Sequence, residues 1–83
     1  MRIEERIKNV ISNVFGIEQH LVSENSSPDT IESWTSLGHM NLVVALEEEF
    51  KVQFNDMQII EMMNYSLIVC IVKEVVPEVD FVK

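Results

Sequence analysis

The stretch Trp34-Thr35-Ser36-Leu37-Gly38-His39-Met40 puts a serine where an irregular segment gives way to a helix. The first turn of a helix carries unpaired N–H groups and a partial positive charge, so a hydroxyl there is well placed to carry a phosphate ester. Gly38, in that turn, would take side-chain bulk away from such a group. A plainer reading stands beside this one: Ser36 or Thr35 is a helix cap, its oxygen accepting from an orphan backbone N–H. Local pattern alone favours the cap. His39 is close enough to be considered as a general base, but no paired carboxylate or nucleophile stands in order with it. A rim histidine is the favoured reading, and the same holds for His20. Cys70 is the single cysteine, so no internal disulfide can form, and no Cys/His cluster has zinc spacing. In its apolar surroundings Cys70 is expected to be a buried small hydrophobe, with a redox role second. Trp34 reads as a loop anchor before it reads as a partner contact.

The elements that position Ser36 come from a chain of 83 residues, enough for one domain spanning 1–83. With 47% hydrophobic residues and only two glycines and two prolines, it is neither collagen-like nor a disordered tail. A domain of this size buries only about 60–65% of its unfolded surface. Without disulfide or zinc, stability has to come from helices on an apolar core. No apolar run approaches the roughly 18 residues of a membrane span. The opening Met1-Arg2-Ile3-Glu4-Glu5-Arg6 does not read as a signal peptide. A lone cysteine and no export signal predict a cytoplasmic protein. Six Lys+Arg against fourteen Asp+Glu give a net charge of −8, a surface that repels nucleic acid and anionic lipid. Between Lys8 and Lys51 lie seven carboxylates and no base: Glu18, Glu24, Asp29, Glu32, Glu47, Glu48 and Glu49. They serve either solubility or the docking of basic partners, and charge alone does not choose.

Helical periodicity places Ile3, Ile7, Val10, Ile11, Val14 and Phe15 on one stripe, with Gly16 as a stop. Residues 16–35 read as irregular, with a turn or single helical turn at Ser26-Ser27-Pro28-Asp29. A loop of that length is often functional, and Ile17, Leu21, Val22, Ile31 and Trp34 are spaced to pin it to the core. Leu42, Leu46 and Phe50, widened by Val43, form the buried row of a second helix; Met40 and Val44 lie on another face with Glu47 and Glu48. Asn55 or Asp56 can cap a short third helix, and Asn64 a fourth. Ser66–Val72 is rich in β-branched residues and would suit a strand equally well. With no second strand to pair with, a lone strand would leave its backbone polar groups unsatisfied, which favours helix. Pro77 ends it. Helices are expected over about 2–15, 36–51, 56–62 and 65–75, with an extended or frayed tail over 76–83.

The stretch from Ser36 to Phe50, above all Ala45-Leu46-Glu47-Glu48-Glu49-Phe50, resembles the modification motif and following helix of acyl carrier proteins. The opening Ile3-Glu4-Glu5-Arg6-Ile7 and the order of long helix, long loop, long helix, short helix and final helix are also similar. The likeness covers residues 2 to about 75. It implies an all-α four-helix bundle, three helices longer and one short, with a long loop between the first and second. It further implies that Ser36 bears a covalent 4′-phosphopantetheine, installed from coenzyme A by a phosphopantetheinyl transferase, whose thiol carries acyl groups as thioesters. On that reading the chain is a monomeric shuttle and not an enzyme, serving a dedicated secondary-metabolite, lipid or cell-envelope pathway. Its partners would be ligases, synthases and acyltransferases with basic docking patches. Leu37, Met40, Val44, Glu47 and Glu48 are the expected docking residues. Met57, Met62 and Met63 are expected in the core, where they could also line an adaptable space for an acyl chain. The sequence departs from the family at Thr35, where an aspartate is usual, and it lacks carboxylates at Gly38 and Asn41. Two alternatives remain: an aminoacyl or peptidyl carrier loaded by an adenylating enzyme, and an unmodified helical interaction module descended from carriers.

Overall fold

A computed structural model describes residues 2–76 as four helices, with no strand among the described residues. Helix α1 runs Ile3–Phe15, α2 Ser36–Phe50, α3 Asp56–Glu61 and α4 Tyr65–Val75. The stripe of α1 is covered as its period requires: Ile7, Val10, Ile11 and Phe15 are buried, Ile3 and Val14 partly so. Gly16 ends the helix at φ 67°, a left-handed conformation that costs glycine little. Helix α2 buries Leu42, Val43, Leu46 and Phe50 against α1. It ends at Lys51, which holds the same left-handed conformation at φ 56° without glycine's freedom. Asn55 caps α3 in a reciprocal box with Gln58, and Asn64 caps α4 by accepting from Leu67 N–H at 2.8 Å. Segment 66–72 is helical, and α4 buries Tyr65, Ile68, Ile71 and Val72.

Two ion pairs and an aromatic contact tie α1 to the other helices. Arg6 Nε donates to Glu49 Oε2 and Arg6 Nη2 to the Glu49 carbonyl, both at 2.9 Å, with the guanidinium 4.5 Å from the centre of the Phe50 ring. Lys73 Nζ donates to Glu4 Oε2 at 2.7 Å. That ammonium, with a backbone hydrogen bond, holds the Glu4 carboxyl below its usual range against the opposing effect of partial burial. Tyr65 Oη donates to the Glu4 carbonyl at 3.2 Å, and burial raises the phenol's pKa.

Segment 16–35 is irregular but not structureless. It holds a single 3-10 turn, Gln19–Leu21, and a helical turn opened by Pro28, in which Ile31 N–H reaches the Ser27 carbonyl at 2.9 Å. Its apolar pins are Val22, Ile31 and Trp34, all buried; Leu21, expected among them, is exposed. Polar pins do as much. The Ser26 carbonyl accepts from Tyr65 N–H at 2.9 Å, at the start of α4, and Ser33 Oγ donates to the Phe15 carbonyl at 3.1 Å, at the end of α1. Each satisfies a helix-end group that has no partner inside its own helix. Val76 is extended and buried; Pro77 and the rest of the expected tail lie outside the described residues.

Candidate functional site

Thr35 is the cap of α2: its Oγ1 accepts from Gly38 N–H at 3.1 Å, and its carbonyl from His39 N–H at 2.7 Å. Ser36 is therefore released from capping. It occupies the first helical position with its side chain exposed, and the N–H groups of Ser36 and Leu37 have no acceptor within the helix. Among the described residues no imidazole or carboxylate hydrogen-bonds to the Ser36 hydroxyl. Gly38 has a different reason from the expected one. A Cβ there would lie 2.4 Å from the Ser33 carbonyl oxygen and 3.1 Å from Phe15 Cε1. The missing side chain admits the loop and the end of α1, not a ligand.

His39 is half-buried, with both ring nitrogens engaged. Its Nδ1 accepts from Trp34 Nε1–H at 3.0 Å, and its Nε2 lies 2.9 Å from the Ile59 carbonyl. An indole N–H only donates and a carbonyl only accepts, so the ring is neutral with its proton on Nε2. It thus bonds the loop on one side and the end of α3 on the other. Trp34, only 2% exposed, stacks on Phe15 with centroids 5.2 Å apart and lies nearly coplanar with His39, edge to edge across their hydrogen bond. A groove of about 650 Å³ opens beside Ser36, between the Ser27–Asp29 turn, the start of α2 and α3, with Trp34, His39, Ile59 and Met62 among its walls.

The α2 row expected to be exposed is exposed: Leu37 at 72%, with Met40 and Val44 about half exposed. Spacings of three and four place them on one face. Met57 and Ile60 of α3, and Met63 just after it, are exposed as well. The expectation of a methionine core holds only for Met62, the residue after α3, which is fully buried; Met57 and Met63 are exposed. Cys70 is likewise exposed, on the outer face of α4, contrary to its expected burial. Nor is the acidic triplet one surface. Glu47 Oε2 accepts from Phe54 N–H at 2.9 Å, bracing the turn into α3, while Glu49 is engaged by Arg6. Glu48 alone of the three is exposed and without an ion-pair partner among the described residues. Residues Met57, Ile60 and Met63 were missed as surface residues; the one available signal was that α3 is too short to bury apolar positions all round.

No family model matches the sequence. Among solved structures, a holo acyl carrier protein from Geobacter metallireducens superposes with a TM-score of 0.78 at 26% identity, covering 89% of this chain and 85% of that one. That likeness supports an acyl-carrier-protein-like family. Its all-helical order, with a long first connection and a short third helix, is the acyl carrier architecture. In this carrier-like chain, Ser36 stands at the head of α2, with Leu37, Met40 and Val44 running away from it on one exposed face and Glu48 beyond them. Glu47, the remaining expected docking residue, is half-buried and engaged within the chain. Among the described residues no helix is long and apolar enough to cross a membrane, and no His/Cys/Asp/Glu group could hold a metal ion.

Proposed function

We propose that the chain is an acyl carrier protein bearing 4′-phosphopantetheine on Ser36 and shuttling acyl groups between cytoplasmic enzymes as a monomer. The observation that carries this reading is the exposed Ser36 hydroxyl at the first position of α2, left free because Thr35 does the capping, in a chain with the acyl carrier architecture. The arm would supply a thiol that holds the acyl group as a thioester. The chain's own part is to hold and to present. The unpaired N–H groups of Ser36 and Leu37, with the positive end of α2, suit a phosphodiester at Ser36 Oγ. Thr35 keeps that turn intact without adding a negative charge beside it. A phosphopantetheinyl transferase would install the arm.

Partner enzymes would dock on Leu37, Met40 and Val44, with Met57 and Ile60 of α3 beside them and Glu48 as the charged contact. Buried at the centre of a contact, such apolar side chains supply affinity, while a peripheral carboxylate mainly steers approach. The expected partners are ligases, synthases or acyltransferases that pair an apolar patch with a few basic residues. The test is intact mass after incubation with coenzyme A and transferases of differing specificity. Wild type is expected to gain one phosphopantetheine and Ser36→Ala none. Modification of Ser36→Ala would refute the site, and an unmodified wild-type chain would favour the interaction-module alternative.

A further inference from the structure

We propose that His39 is a proton-operated latch on the groove beside Ser36. The two hydrogen bonds of its ring fix one protonation state. Trp34 Nε1–H points at Nδ1 at 3.0 Å, and Nε2 faces the Ile59 carbonyl at 2.9 Å. Only the neutral ring with a proton on Nε2 satisfies both. A second proton, taken from solvent, adds at Nδ1 and turns that acceptor into a donor facing a donor. The two sides of the latch then respond differently. The bond to Ile59 survives and strengthens, because a charged donor at the carbonyl end of α3 is favoured. The bond to Trp34 is lost, and the indole N–H is left without a partner in a nearly dry place, where an unmet donor is unfavourable. Protonation therefore releases the loop side of the groove while α3 stays attached to α2.

The surroundings make this switch accessible. Histidine is the side chain that ordinarily changes charge between about pH 5 and 8. The charged group lining the groove with His39 is Asp29, from the loop. Helix α2 brings no acidic residue in its first turn; Asp56 and Glu61 of α3 are exposed and stand outside the groove lining. Ser36 precedes His39 by three residues on the same helix, and both line the groove. On the reading that Ser36 carries a phosphodiester, that anion lies one turn from the imidazole and favours its charged form. The modified chain would then unlatch at higher pH than the bare one.

Trp34 is the single tryptophan of the chain, so its emission reports the latch directly. In the unmodified chain, emission is expected to shift to the red between pH 8 and 5 while far-ultraviolet circular dichroism stays constant. The shift should persist in His20→Gln and vanish in His39→Gln. No emission change in wild type, or one that survives His39→Gln, would overturn the latch, and neither result depends on Ser36. Since His39→Gln could repack, the ring protons of His39 followed by NMR in wild type give a second reading: their titration has to coincide with the emission change. In chain shown by mass to be modified, the midpoint is expected at higher pH, because the added anion favours the charged ring. An unchanged midpoint would overturn the coupling to Ser36 and leave the latch and the attachment site to stand on their own tests.

Discussion

Gly38 shows how a single residue's surroundings can reverse the rule for its type. In an exposed helix, alanine is more favourable than glycine by roughly 1 kcal/mol. Here the added Cβ would meet the Ser33 carbonyl at 2.4 Å, a backbone atom that cannot swing aside. Gly38→Ala is therefore expected to destabilise by about 1–3 kcal/mol, the range for overpacking, read as a lower urea midpoint at unchanged slope. Glu47 and Glu48 are chemically alike and differ by context. Glu47→Ala strips the acceptor from Phe54 N–H and is expected to lose about 1–3 kcal/mol. Glu48→Ala, which touches no such feature, should stay within about 0.5 kcal/mol of wild type. Equal losses in the two variants would contradict the assignment of Glu47 to the turn before α3.

Helix α2 has two apolar faces and only one is covered. Leu42, Val43, Leu46 and Phe50 hold it in the bundle; Leu37, Met40 and Val44 face out. Truncating the inner row, as in Leu46→Ala, belongs to the class of change that costs about 2–5 kcal/mol. On the outer row, a charge replaces an exposed side chain and the fold has no reason to respond. Val44→Glu is expected to leave circular dichroism and melting unchanged and to slow acyl loading by a cognate partner at least several-fold. That slowing should persist in high salt, because lost apolar contact is not screened. If Val44→Glu loaded at the wild-type rate, docking would have to use a different face. Ile60 of α3 and Met63 just after it line the same groove as Met40, so the apolar surface of α2 continues toward α3.

Across the whole molecule, with a radius of gyration of 11.7 Å, charge acts at two ranges. The net charge of −8 is long-range and is screened by salt. The Glu4–Lys73 pair is local, and it joins α1 to α4. Its side chains are 35% and 46% exposed, so solvent screening limits its contribution to at most about 1 kcal/mol. The sign follows from Glu4, whose folded-state pKa is lowered chiefly by the Lys73 hydrogen bond. The stabilisation is fully present above the ordinary glutamate pKa of about 4.3 and is lost as the pH falls through the lower folded value. Lys73→Gln should therefore be slightly less stable than wild type at pH 7, and the two should converge in acid. The check is a series of thermal melts over that range; a gap that widened on acidification would refute the pairing.

The helices were legible in the sequence because each reports on itself. The stripe from Ile3 to Phe15, the row Leu42-Leu46-Phe50 and the cap positions, narrowed to Thr35 or Ser36, Asn55 or Asp56, and Asn64, are all set by neighbours within about four residues. Ser66–Val72 became legible as helix by elimination, since its backbone had no strand to pair with. The resemblance matched the order of the elements and singled out Ser36. What the sequence left open depended on groups far along the chain. Gly38 needs the Ser33 carbonyl and Phe15, His39 needs Ile59, Glu49 needs Arg6, and no periodicity carries those distances. Met57 and Met63 were assigned to the core by their apolarity, and Cys70 by the apolar run around it. A period of 3.6 says which residues share a face; which face is covered is decided by where the other helices pack.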